Sequence, residues 1–238
     1  MSEEQMVPRP AATLALVRDG QAGVEVFMVR RTQRAAFHPG AYVFPGGALD
    51  PADQTRDLEH LVHGLDAAAA SKQLGVELGG LAYHVAAIRE CFEESGWLLA
   101  YDSQGNYVNL NHPARKQPFS EFRARLAAGE GSLIELCRSY DIRLAVDRLA
   151  YLSHWVTPPG RPRRFDTRFF VAVAPESQTP SHDGDEVIHH MWIRPQDALD
   201  RQQAGTLTLP RPTIATLDAL APLPDTQAVM DFVHRQGG

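Results

Sequence analysis

Nine consecutive residues, Arg89-Glu90-Cys91-Phe92-Glu93-Glu94-Ser95-Gly96-Trp97, constrain this chain more than any other stretch. Wound as a helix, they set Glu90, Glu93 and Glu94 at i, i+3 and i+4, on one face. Like charges at that spacing repel by about 0.3 kcal/mol per pair, even when solvated. A hard divalent cation such as Mg2+ relieves the repulsion, because it takes carboxylate oxygens. The plain alternative is a solvated acidic face, the usual fate of a charge run. Ile88, Cys91 and Phe92 fill the opposite side and predict packing on a core. Arg89, four residues before Glu93, is placed to hold a carboxylate. Gly96 reads as the helix stop, where a left-handed residue is needed.

Composition narrows the class. The chain has 238 residues, 44% apolar and 22% charged, the balance of an ordinary globular protein with a full core. It reads as a single domain over 1–238. A net charge of −6 argues against a general nucleic-acid or anionic-membrane binder, whose surface needs excess Lys and Arg. Two cysteines, Cys91 and Cys137, are too few for a disulfide framework. No apolar run approaches the ~20 residues of a membrane span. The first residues, Met1-Ser2-Glu3-Glu4, are acidic where a signal peptide is basic. A cytoplasmic protein is expected.

Along the chain, Ala12–Val17 and Val24–Val29 read as strands joined by a turn at Asp19-Gly20. Arg31 and Arg34 follow. They are either edge charges or phosphate contacts, since Arg presents a planar fork of donors. Tyr42-Val43-Phe44 is a short strand running into Pro45-Gly46-Gly47. The glycine pair predicts a tight turn with close backbone approach. In 54–80, Leu58, Leu61, Val62 and Leu65 recur at helical spacing and Ala67–Ala70 continues it. This predicts a helical hairpin-like lid, a surface decoration or a homodimer contact. Helices Phe119–Ala128 and Leu133–Tyr140 are expected within 103–146. Two further strands are expected over 149–157 and 165–173. On the second, Arg164, Asp166 and Arg168 share a face by period two, either as a pocket wall or as an ion-pair ladder. Val187–Ile193 reads as the last strand, and helices close the chain.

With Phe44-Pro45-Gly46-Gly47, the nine-residue stretch resembles the signature of the Nudix hydrolases. That signature is a glycine, five residues, an acid, seven residues, then Arg-Glu-apolar-x-Glu-Glu-x-Gly-apolar. Gly47 matches the glycine, and Arg89, Glu90, Cys91, Glu93, Glu94, Gly96 and Trp97 match the second half. Asp53 stands where the family has Glu. Residues 54 to 88 stand where the family has seven residues, so an insertion of about 54–80 splits the signature. A second helical insert occupies about 103–146. Ser153-His154-Trp155-Val156-Thr157-Pro158 and Arg163–Phe170 resemble the branch of peroxisomal coenzyme A diphosphatases and their bacterial relatives. The coenzyme A motif is matched in part by Gly40–Gly47. Ala36 stands at its arginine, so Arg34 would have to stand in.

The resemblance implies an α+β fold, a mixed β-sheet sandwiched between helices, carrying helical insertions. It implies Mg2+ or Mn2+ held by Glu90, Glu93, Glu94 and the carbonyl of Gly47. Catalysis would fall to Glu93, Glu94 and Arg89, with Glu186, six residues before Trp192, completing the metal shell or taking a proton from water. Arg31, Arg34, Arg164 and Arg168 would bind substrate. The expected reaction is hydrolysis of a diphosphate in coenzyme A or acyl-CoA. The rivals are an ADP-ribose or nucleoside-diphosphate-sugar diphosphatase and a nucleotide-sensing domain that cleaves nothing.

Overall fold

The computed structural model describes residues 7–33, 38–180 and 187–236. Its centre is a seven-stranded mixed sheet. Strands β1 (Arg9–Gly20) and β2 (Gly23–Arg31) form the expected hairpin, Gly20 opposite Gly23. β3 (Tyr42–Val43) continues antiparallel to β2, and β4 (Gly46–Ala48) lies antiparallel to β1. After a small sheet of β5 (Ala100–Tyr101) and β6 (Arg143–Leu144), β7 (Ala150–Val156) and β8 (Phe165–Val173) form a second hairpin. β8 runs parallel to β1, and β9 (Val187–Ile193) runs antiparallel to β2.

The central strands are apolar on both faces, as a sheet covered on both sides requires. Leu14, Leu16, Phe27, Val29, Phe170 and Ala172 face one core. Their neighbours Ala15, Val17, Val26, Met28, Phe169 and Val171 face the other. The first core is closed by α1 (Ala67–Leu74), α2 (Gly80–Ser95), α3 (Pro113–Ala127) and α4 (Leu133–Tyr140). The second is closed by α5 (Pro195–Gln203), α6 (Arg211–Leu220) and α7 (Thr226–Gln236), through Leu199, Leu217, Leu220, Val229 and Val233. This is the expected α+β sandwich.

The segment 54–80 departs from the expected helical hairpin. Two 3-10 turns, Pro51–Gln54 and Arg56–His60, come first, and Leu58 alone of the predicted stripe is fully buried. Val62 then bridges to Leu144, and the His63 N–H donates to the Leu144 carbonyl, so the chain is extended there. α1 packs against the start of α2, not over the site. The two backbones meet at Gly80, where a Cβ would stand 2.4 Å from Ser71 backbone atoms. The Gly80 N–H donates to Ser71 Oγ at 3.0 Å. In the second segment α3 starts at Pro113, earlier than its apolar residues suggest. Pro at the first helical position needs no N–H partner, and His112 caps the end. Beyond the strands, Gln178 closes a loop by accepting from the Leu98 N–H and donating to the Leu98 and Val108 carbonyls.

Wrapped by sheet, α1 and α3, α2 is buried on nearly every side, His84 included. The His84 ring sits 4.6 Å from Phe170, with Nδ1 3.1 Å from the Gly80 carbonyl and Nε2 3.2 Å from Gln73 Oε1. Burial pushes its imidazole down from 6.5 to about 4, and the Gly80 carbonyl opposes this in part. The unfolded chain therefore takes up a proton before the folded one does. Stability from this group is complete above the unfolded value and is lost as pH falls towards 4. The loss reaches about 3 kcal/mol. Denaturation at pH 7.5 and 5 should show a smaller difference for His84→Gln than for the native chain.

Candidate active site

The carboxylate face of α2 meets β4. Gly96, left-handed at φ 76°, ends the helix as expected, and its N–H donates to the Phe92 carbonyl at 2.9 Å. Glu90 lies against Gly47, where a Cβ would stand 2.5 Å from Oε1. Glu94, almost fully buried, accepts from the Gly46 N–H through Oε2 at 3.2 Å. The pair of glycines is therefore not a tight turn. Both belong to a strand paired with Ala12 and Thr13 of β1, and neither is among the left-handed residues. Glycine is needed there for room rather than for unusual dihedrals.

Arg89 ties the parts together. Nε and Nη2 donate to Asp53, the closest contacts being 3.0 Å, and Nη2 also donates to the Ala48 carbonyl at 2.9 Å. Nη1 donates to Glu90 at 2.9 Å and to Glu93 at 3.3 Å. The expected hold on Glu93 is present, and Glu90 shares it. Asp53 is itself fixed in a capping box, its Oδ2 accepting from the Asp50 N–H. The acid before the insertion thus reaches the arginine after it, and the split signature closes in space. Burial alone would lower the basicity of Arg89, but the Asp53 hydrogen bonds and the charges of Glu90 and Glu93 raise it, so the guanidinium stays charged. Burial raises the Glu93 carboxyl, and Arg89 works against that.

Arg31 reaches the site, with Nη1 3.8 Å from Glu94 Oε1. Arg34 and Glu186 lie outside the described residues. Arg164 donates from Nε to the Thr157 carbonyl at 3.0 Å. Arg168 is buried and ion-paired with Asp166 at 2.5 Å, and His154 Nε2 meets the same carboxylate oxygen at 2.6 Å. The face of β8 is therefore an ion-paired cluster, with Arg168 also over the Tyr83 ring. His189 and His190 point apart, towards Tyr42 and Phe27. Both cysteines are buried free thiols, each pushed up to about 12 by burial.

Among the described residues, no group of three or more His, Cys, Asp or Glu side chains forms a ready-made metal cluster. The carboxylates instead lean on Arg89 and the glycine backbone. Their chemistry nevertheless fits a hard divalent cation: three carboxylates come from one helical turn, with Glu90 at a cradle that a Cβ on Gly47 would fill. Beside them a cleft of about 240 Å3 is bounded by Asp50, Asp53, Arg89 and Glu93 and by Ser132 and Ile134 at the head of α4. A larger depression of about 610 Å3 along α3, lined by Asn111, Lys116 and Gln117, touches none of the carboxylates.

This fold and site define a Nudix protein, and comparison with known proteins places it within a branch. The family model for the NUDT19 Nudix domain matches residues 67–220, so the chain belongs to the Nudix hydrolase family. A crystal structure of a Nudix hydrolase from Alicyclobacillus acidocaldarius is 33% identical. It superposes with a TM-score of 0.78 over 95% of this chain and 96% of that one. The acyl-coenzyme A diphosphatase NUDT19 of Xenopus laevis is 29% identical over 225 residues, 82% of this chain and 59% of the relative. Its human counterpart is 28% identical over 231 residues, 84% of this chain and 61% of the relative. The chain spans about three fifths of the length of these curated relatives.

Two contacts of the site have no local signal. The Gly46 N–H to Glu94 bond depends on where α2 lands on the sheet. Arg123 of α3 donates from Nε to the Glu93 carbonyl at 2.9 Å, across a segment that periodicity marks only as helix. The two glycines should also differ on substitution. A Cβ on Gly46 meets the Ala12 carbonyl at 2.5 Å and Thr13 Cα at 2.7 Å, both backbone. Gly46→Ala should cost about 1–3 kcal/mol in chemical denaturation. Gly47→Ala has the end of the Glu90 side chain, not backbone, as its nearest contact and should cost less than Gly46→Ala.

Proposed function

We propose that this chain hydrolyses a diphosphate bond in coenzyme A or an acyl-CoA, with Mg2+ or Mn2+ held by Glu90, Glu93, Glu94 and the Gly47 carbonyl. The observation that carries the reading is the landing of one helical turn on two glycines, Glu90 against Gly47 and Glu94 on the Gly46 N–H. The names of the curated relatives support the substrate class. A bound divalent cation neutralises phosphate charge and lowers the pKa of a coordinated water.

The chain's own residues do the rest. Glu94 is held between strand backbone and Arg31, so its carboxylate has a fixed direction. Arg89 sets Glu90 and Glu93 side by side and neutralises part of their charge in the absence of a cation. Arg31 presents its fork to a phosphate oxygen at the edge of the carboxylate set. Glu186 is the candidate to take the proton from the attacking water, with a helix glutamate as the alternative.

Release of phosphorylated products from coenzyme A, acyl-CoA, ADP-ribose and NADH, with and without Mg2+ or Mn2+, tests the proposal. Coenzyme A or its thioester should be the preferred substrate, and chelation should abolish turnover. Preference for ADP-ribose or a nucleotide sugar would shift the substrate class. Binding without cleavage would make the chain a sensor. Glu94→Gln should lower turnover about a hundredfold or more with an unchanged melting temperature. Gly47→Ala should lower it too while staying folded. A Glu94→Gln protein with native activity refutes the assignment.

A further inference from the structure

We infer that Arg123, on a helix the signature does not include, is a positioning residue for the carboxylate set; this rests on the diphosphatase reading above. Its Nε donates to the Glu93 carbonyl at 2.9 Å. That carbonyl belongs to the last turn of α2, where the left-handed Gly96 stops the hydrogen-bond ladder and leaves acceptors without an intrahelical donor. A guanidinium there supplies a charge-assisted hydrogen bond and meets the negative end of the helix dipole. The Glu93 carboxylate is meanwhile 3.3 Å from Arg89 Nη1. Glu93 is thus held twice, its backbone by Arg123 and its side chain by Arg89.

The grip is only as firm as α3. Phe119, Phe122 and Leu126 are buried in the core shared with α2, so α3 is anchored along its length. Arg123 lies between two of these anchors and is half-buried. Its neighbour Arg125 instead joins Glu135 at the surface. Helix ends fray when their terminal groups lose partners. The turn that would fray here carries Glu93 and Glu94. Arg123 therefore acts on the carboxylate set from behind the helix, through the Glu93 backbone.

The test uses the full chain with Arg123→Ala, Arg123→Lys and, as a control, Arg125→Ala. Three quantities are read: Mn2+ affinity from the electron paramagnetic resonance of free Mn2+, kcat and KM for coenzyme A, and melting temperature. Arg123→Ala should weaken Mn2+ binding and lower kcat, each about tenfold, the size of one charge-assisted hydrogen bond. KM should change less than twofold. Lys, which still offers a cation to the carbonyl, should recover most of both, and Arg125→Ala should match the native chain. Native Mn2+ affinity and kcat in Arg123→Ala would overturn the inference. So would losses that follow the unfolded fraction in the Ala and Lys variants alike. A native chain that binds no Mn2+ and cleaves no diphosphate fails at the earlier step, and the inference falls with it.

Discussion

A single guanidinium, that of Arg89, lies under most of this architecture. It is buried, and a buried cation without partners is among the costliest things a fold can contain. Its donors are met by Asp53 before the insertion, the Ala48 carbonyl of β4, and Glu90 and Glu93 of its own helix. These partners come from three separate stretches of chain. None can drift without leaving a charge unmatched, so the mutual placement of strand, 3-10 turn and helix is over-determined. The same contacts hold two carboxylates near each other, which an unneutralised helix face would resist.

α1 and α3 brace α2 at its two ends. α1 meets the start of α2 through the close approach of Gly80 and Ser71, and α3 grips its end through Arg123. The centre of the helix lies on the sheet. Enclosed in this way, α2 has little use for a polar face except where Glu90, Glu93 and Glu94 meet the glycines. This accounts for the run Val85-Ala86-Ala87-Ile88, fully buried and carrying no amphipathic stripe. It also accounts for His84, which is buried between Phe170 of β8 and Gln73 of α1 and remains neutral there.

Much of this is visible in the residues before any coordinates. The i, i+3, i+4 spacing of the glutamates places them on one face, and Gly96 ends the helix where expected. The apolar runs of β1, β2 and β8 read as strands, and the family resemblance implies the sheet sandwiched between helices. The errors have one origin. Leu58, Leu61, Val62 and Leu65 match helical spacing, yet pairing with Leu144 draws the backbone out straight. Gly46 and Gly47 resemble a turn, yet β1 takes them as a strand. In each case a partner distant along the chain outweighed a local preference, as tertiary contacts commonly do.

Local pattern thus decided the helix, its carboxylate face, its stop and the main strands, because those depend on residues within a turn or two of one another. The closing of Asp53 onto Arg89 across the insertion was decided only in three dimensions, as were the seating of Glu90 and Glu94 on the glycine strand and the reach of Arg123 to Glu93. Each requires a loop to be closed at an entropic cost that only the assembled core offsets. No window of sequence contains both halves of such a contact.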